Sequence, residues 1–157
     1  MVPMADPIPG PAEIHEALMR NTGFLVSRMG HVAQKGFSQR IGTIGLTPRM
    51  WGALNVLRAE GPITQHALCR AVGMDPSTMV ATIDELEAKG LVERRAHPSD
   101  RRAHALHITG PGEETLALGR ELARQAQDDL LAALNQAERK QLHELLLKLA
   151  LATRGEQ

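Results

Sequence analysis

The chain has 157 residues, with 18 basic and 18 acidic side chains and no net charge at neutral pH. This length suits one domain, or a small module with an extension for dimerisation. Hydrophobic residues make up 43% of the chain, so it can bury a core and does not have the composition of a disordered protein. Its single cysteine, Cys69, excludes an internal disulfide and gives no sign of secretion.

The N-terminal segment, residues 1–11, contains four prolines and has neither a basic start nor an apolar stretch. It therefore predicts a disordered arm rather than a signal peptide. No run in the chain approaches the roughly 20 apolar residues that a membrane span requires. We therefore expect a cytoplasmic protein without a membrane partner.

The charges are unevenly distributed along the chain. Residues 94–107 contain four arginines and three histidines against one acidic residue, Asp100. Residues 111–157 contain six basic and eight acidic residues. Because contacts with phosphate groups require local positive charge, only the short central segment suits a nucleic acid.

Apolar spacing and capping residues predict six helices, separated by glycine and proline breaks. Thr47 and Asp75 are candidate N-caps because each precedes a proline that suits the first helical position. Asn135 and Glu138 have the spacing of a capping box at the start of the last helix. The predicted helices span about residues 12–40, 48–59, 64–72, 76–89, 111–134 and 136–153.

The periodicity changes after Gly90. Residues 91–97 and 103–108 are short extended segments on either side of a basic turn, Pro98–Arg102. They predict a β-hairpin that follows the fourth helix.

The order of these elements and four motifs resemble the MarR family of transcriptional regulators. The motifs are Leu46-Thr47-Pro48, Gly90-Leu91-Val92-Glu93-Arg94, Pro98-Ser99-Asp100-Arg101-Arg102 and Leu106-His107-Ile108-Thr109. The resemblance covers about residues 12–153. It implies a mainly α (α+β) winged helix-turn-helix fold with a DNA-binding lobe at about 46–109. Dimerisation helices are implied at about 12–40 and 111–153.

The function that this resemblance implies is sequence-specific binding of a pseudo-palindromic operator by a homodimer. A repressor released by a phenolic or anionic aromatic effector is the expected type. A winged-helix module that binds proteins instead of an operator is the alternative. The sequence has no motif of an enzyme, a metal site or a cofactor site, and we expect none of these.

The predicted helix 76–89 fits a major groove, where its first turns approach base edges. Ser77, Thr78, Met79 and Thr82 are the candidate contacts, and Thr64 and Gln65 at the start of the preceding helix are further DNA-binding candidates. Ser77 and Thr78 also suit a helix start without any DNA. Ala81 and Glu85 stand where many family members carry arginine, so this helix offers few cationic contacts.

The hairpin tip carries the strongest family motif. Arg102 suits the minor groove, Asp100 is placed to orient it, and Arg101 suits a phosphate contact. Alone, these three residues would suggest only a solvated charged turn. Their position after the predicted helix-turn-helix favours DNA binding.

Weaker signals concern a ligand and the thiol. Trp51 is expected in the core, but the family's effector pocket lies near its position. Arg28 and His31 are candidate polar partners for an anionic aromatic effector there. Cys69 is expected to be a structural thiol, and a reactive thiolate beside Arg70 is the alternative.

Overall fold

A computed structural model describes residues 14–96 and 104–153, so the N-terminal arm lies outside the described residues. The elements are α1 (Glu16–Met19), α2 (Thr22–Gly42), α3 (Pro48–Glu60), β1 (Ile63–Thr64), α4 (Gln65–Val72), α5 (Pro76–Ala88), β2 (Val92–Ala96), β3 (His104–Ile108), α6 (Gly110–Leu130) and α7 (Gln136–Ala152). This arrangement confirms the mainly helical winged helix-turn-helix fold expected from the sequence.

Local sequence sets the helix starts of the central lobe. The side chains of Thr47, Thr64 and Asp75 accept hydrogen bonds from backbone N–H groups in the first turns of α3, α4 and α5. Helix α4 ends at Gly73, whose backbone is left-handed (φ 70°, ψ 36°). Glycine adopts this conformation without a steric penalty. The chain reverses there, and α5 follows as the second helix of the predicted helix-turn-helix.

Three short strands form an antiparallel sheet in the order β1-β3-β2. The predicted hairpin is present, with Val92 opposite Ile108 and Arg94 opposite Leu106. Strand β1 was not predicted, because two residues give no alternating pattern. It forms by pairing with β3, where Ile63 lies opposite Leu106.

One hydrophobic core joins the lobe to the neighbouring long helices. Its fully buried members include Ile41, Leu54, Leu68, Ile83, Leu106 and Leu116. Burying an aliphatic side chain of this size stabilises a fold by about 1.5–3 kcal/mol. The end of α2 and the start of α6 are therefore anchored to the winged lobe.

Trp51 lies where α2, α3 and α6 meet. Its ring packs edge-on against Phe37, with 5.1 Å between the ring centroids. A Cβ at Gly119 would lie 2.9 Å from Cδ1 of Trp51, so only glycine lets α6 approach α3 this closely. Trp51 is half-buried against the core, close to the expected core position.

Two predicted helix boundaries are wrong. The first helix is divided because Asn21 is extended and its side chain caps α2 through the N–H of Phe24. Helix α6 ends at Leu130 rather than Leu134, because hydrogen-bonded turns precede the capping box of Asn135 and Glu138.

Large apolar side chains are exposed on α1, α2, α6 and α7. They are Leu18, Met19, Val26, Met29, Leu118, Leu145, Leu146, Leu147, Leu149 and Leu151. These ten side chains lie on the segments expected to dimerise, whereas Val80 of α5 is also exposed and lies outside them. Among the described residues, no helix is long and apolar enough to cross a bilayer.

Candidate nucleic-acid interface

Helix α5 is divided into a buried and an exposed face. Its exposed side, here called the outward face, consists of Ser77, Val80, Ala81, Asp84 and Glu85. The opposite side enters the core through Met79, Thr82, Ile83 and Leu86. Because these two sets alternate with helical spacing, the outward face is a continuous stripe that a DNA groove could receive.

The start of α5 is fixed by one carboxylate. Oδ1 of Asp75 accepts hydrogen bonds from the hydroxyl of Ser77 at 2.6 Å and the N–H of Thr78 at 2.9 Å. These hydrogen bonds hold the pKa of Asp75 well below its ordinary value, since they favour the ionised form. Asp75 therefore caps the helix, and Ser77 hydrogen-bonds to this cap while its side chain remains exposed.

Two candidate base contacts are corrected by the structure. Met79 is fully buried in the core, and Thr82 is 5% exposed. The Thr82 hydroxyl donates to the carbonyl of Thr78 at 2.8 Å. Neither side chain can meet a base edge in this conformation, because α5 turns both towards α3 and α4.

Val80 and Ala81 were missed as candidates. They lie three and four residues after Ser77 and are exposed beside it. The helical spacing from Ser77 was the available signal. Equally, the apolar residues Met79, Ile83 and Leu86 repeat at core spacing and could have excluded Met79.

Arg94 on β2 is held by carboxylates of α5. Its guanidinium donates to Asp84 at 2.7 Å and to Glu87. Its backbone N–H donates to the other oxygen of Glu87 at 3.2 Å, and Gln65 of α4 accepts a longer bond at 3.5 Å. The pKa of Arg94 is raised, first by its hydrogen bond to Asp84. This residue joins the wing strand to both helices of the helix-turn-helix.

The central positive charge is smaller than the sequence count suggested. Arg94 is paired as above, and Arg95 forms an ion pair with Glu93. Their acidic partners, Asp84, Glu87 and Glu93, all precede residues 94–107 and were therefore not included in the charge count of that segment. The candidates Asp100, Arg101 and Arg102 lie outside the described residues.

Thr64 and Gln65 lie at the start of α4 and are half-buried. Oγ1 of Thr64 accepts the N–H of Ala67 at 3.2 Å, so this hydroxyl caps the helix. Gln65 is turned towards Arg94 on the wing side. Both residues lie at the edge of the candidate interface, where Thr64 caps α4 and Gln65 connects α4 to Arg94.

A cleft of about 650 Å³ lies beside α5. Its walls come from α2, the start of α3 and one side of α5. The lining side chains include Gln34, Ser38, Thr47, Arg49, Ser77, Thr78, Ala81 and Glu85. Arg49 and Glu85 supply opposite charges, and the remaining groups are mostly hydroxyls and an amide. The cleft therefore places mainly polar groups and one pair of opposite charges beside the candidate DNA-binding helix.

The expected effector residues do not converge. Arg28 and His31 line a separate depression of about 300 Å³ with Phe24 and Ser27. Trp51 instead packs against Phe37, which lies nine residues after Arg28 and six after His31, or about 13 Å and about 9 Å along the axis of α2. The straight helix keeps Trp51 apart from the other two residues.

Cys69 is buried in α4 and belongs to the core, as expected for a structural thiol. Within residues 14–96 and 104–153, no group of histidine, cysteine and acidic side chains could hold a metal ion.

Comparison with known proteins gives consistent matches. A family model described as the MarR family matches residues 44–103. A Thauera aromatica protein, described as a candidate transcriptional regulatory protein for the hcr operon, is 35% identical over 137 residues. The alignment covers 87% of this chain and 82% of the relative.

Two solved structures share the fold. The transcriptional repressor CouR, bound to a 23-mer DNA duplex, has a TM-score of 0.78, with 30% identity over 88% of this chain and 99% of CouR. BpsR of Bordetella bronchiseptica, whose DNA binding is regulated by 6-hydroxynicotinic acid, has a TM-score of 0.71 and 27% identity. That match covers 82% of this chain and 97% of BpsR. The chain belongs to the MarR family of transcriptional regulators.

Proposed function

We propose that this protein binds a pseudo-palindromic operator as a homodimer and regulates transcription. The observation that carries the proposal is the outward face of α5, which stands free of the core beside the β2–β3 hairpin. The same fold occurs in a repressor whose structure contains a DNA duplex. A helix fits the B-DNA major groove, which is about 12 Å wide.

We further propose that the protein is a repressor released by a small phenolic or anionic aromatic effector. The cleft beside α5 has a size typical of ligand sites. Its Arg49 supplies a cation for a carboxylate, and Ser77 and Thr78 bring the ligand against the DNA-binding helix. The regulation of BpsR by a hydroxylated aromatic acid supports this chemistry. Arg28 and His31 remain a second candidate location, in their own depression.

The exposure of each side chain decides which sequence candidates we keep as DNA contacts. Ser77 and Thr78 remain candidate base contacts, and Thr64 and Gln65 are candidate contacts at the edge of the groove. The wing residues Asp100, Arg101 and Arg102 are proposed from the sequence alone. Release follows if a bound effector blocks Ser77 and Thr78 or moves α5 relative to α2.

The experiment is a titration of duplex DNA from upstream of the protein's own gene, against a scrambled duplex, at several salt concentrations. We expect tighter binding to the upstream duplex and weaker binding in the presence of 6-hydroxynicotinic acid or 4-hydroxybenzoate. Arg49→Gln should lose the response to ligand if the effector binds in the cleft beside α5, whereas Arg28→Gln should lose it if the effector binds in the second depression. Equal binding to both duplexes at every salt concentration would reject operator recognition and favour the protein-binding module.

A further inference from the structure

The chemistry available on α5 is unusual for sequence recognition. Residues 76–88 contain no arginine, lysine, asparagine, glutamine or histidine. The bidentate hydrogen bonds by which guanidinium groups select guanine and amides select adenine are therefore unavailable from this helix. Sequence discrimination by α5 needs another kind of contact.

Two of the three polar residues of the outward face already have hydrogen-bond partners, and the third, Glu85, lines the cleft. Ser77 donates its hydroxyl to Asp75 at 2.6 Å. Asp84 accepts from Arg94 at 2.7 Å, and its charge is compensated there. The apolar side chains Val80 and Ala81 are exposed between these polar residues, in the middle of the stripe.

Val80 is 43% exposed, while its neighbours Met79 and Ile83 are fully buried. It lies one turn after Ser77, within the N-terminal half of α5, which is the part of such helices that meets base edges. Val80 does not line the cleft, whereas Thr78, Ala81 and Glu85 do. Its exposure is therefore not explained by the proposed effector site.

A base in the major groove displays one apolar substituent to such a side chain, the 5-methyl group of thymine. We propose that Val80 determines sequence specificity by packing against a thymine methyl group in each half-site. The inference rests on the proposed operator binding. Apolar contact then supplies the discrimination that cationic side chains supply in other recognition helices.

The test begins with duplexes that the full-length protein selects from a random-sequence pool. Each thymine of the selected half-site is then replaced in turn by uracil, which removes only the methyl group. We expect one thymine per half-site whose replacement weakens binding about fourfold, the effect of one buried methyl group. In Val80→Ala the same replacement should change the affinity by less than about 1.5-fold, because alanine lacks the two γ-methyl groups that reach the base.

Two controls keep the result specific. Val26→Ala removes another exposed valine, on α2. Because α2 belongs to the segment expected to dimerise, light scattering must first show that this variant is still a dimer, and it should then retain the full uracil effect. Val80→Ile keeps an apolar β-branched side chain and should retain it too. An undiminished uracil effect in Val80→Ala, or no uracil effect at any thymine of a selected duplex, would overturn the role of Val80. Failure to enrich any sequence would instead overturn the proposed operator binding, and this inference with it.

Discussion

Asp75 couples the start of α5 to its own ionisation. Its carboxylate accepts hydrogen bonds from the N–H of Thr78, as the helix cap, and from the hydroxyl of Ser77. Both hydrogen bonds favour the ionised carboxylate. The pKa in the folded protein lies below the ordinary value of 3.8. A group with a depressed folded pKa stabilises the fold above its unfolded pKa and loses this contribution as the pH falls.

Asp75→Asn keeps a capping oxygen but cannot ionise. We expect the wild type to have the higher Tm above pH 3.8, and the difference to shrink as the pH falls below that value. Thermal melts of both proteins across the acid range measure this. A difference in Tm that is constant with pH would contradict an ionisation-linked cap.

A prediction about Asp100 and Arg102 rests on the sequence, because both lie outside the described residues. Arg102→Ala should weaken operator binding while the fold and the dimer survive. Asp100→Ala should also weaken it, although removing a negative charge should favour binding to phosphate. If Asp100 orients Arg102, the double variant is less damaging than the sum of the singles. Tighter binding by Asp100→Ala would refute the orienting role.

Arg94 connects a strand to two helices, although in the sequence it counts only as a positive charge of the central segment. It joins β2 to α5 and α4, and it compensates two carboxylates on the helix proposed to enter the groove. Its side chain is 29% exposed, so each ion pair is expected to contribute about 0.2–1 kcal/mol. The larger effect should be on DNA, where uncompensated Asp84 and Glu87 would face phosphates.

Arg94→Gln should therefore weaken operator binding on the order of tenfold. Adding Asp84→Asn and Glu87→Gln should restore most of the affinity, because no uncompensated carboxylate remains. Arg95→Gln on the same strand is the matched control, since its ion pair is with Glu93 rather than with α5. The readout is affinity for the selected duplex as a function of salt. A loss that persists in the triple variant, with the salt slope reduced by about one, would make Arg94 a phosphate contact instead.

Helix starts were predictable because their causes are local. Thr47, Asp75 and Asn135 cap α3, α5 and α7 as the sequence indicated. The orientation of α5 was partly predictable, since core spacing identifies Met79 as buried. Strand β1 and the Arg94 ion pairs were not, because both depend on residues brought together from distant parts of the chain.

The exposed leucines of α7 indicate that a second protomer covers this helix. Five of them, at 45–59% exposure, lie on a helix that contributes no residue to the core. We expect a dimer at micromolar concentration, and Leu149→Glu should shift it towards the monomer without loss of helical content. Light scattering and circular dichroism measure the two quantities, with Lys148→Glu as the control on the same helix. A monomeric wild type would contradict the dimer.

A footprint on the DNA upstream of the protein's own gene shows whether a two-fold dimer recognises an operator there. Two protected half-sites related by a pseudo-two-fold axis are predicted, with their centres about one helical turn, 10–10.5 base pairs, apart. Protection should disappear when the half-site sequences are scrambled at constant length and salt. Uniform protection along the duplex, or none at concentrations where the protein is dimeric, would contradict operator recognition by the dimer.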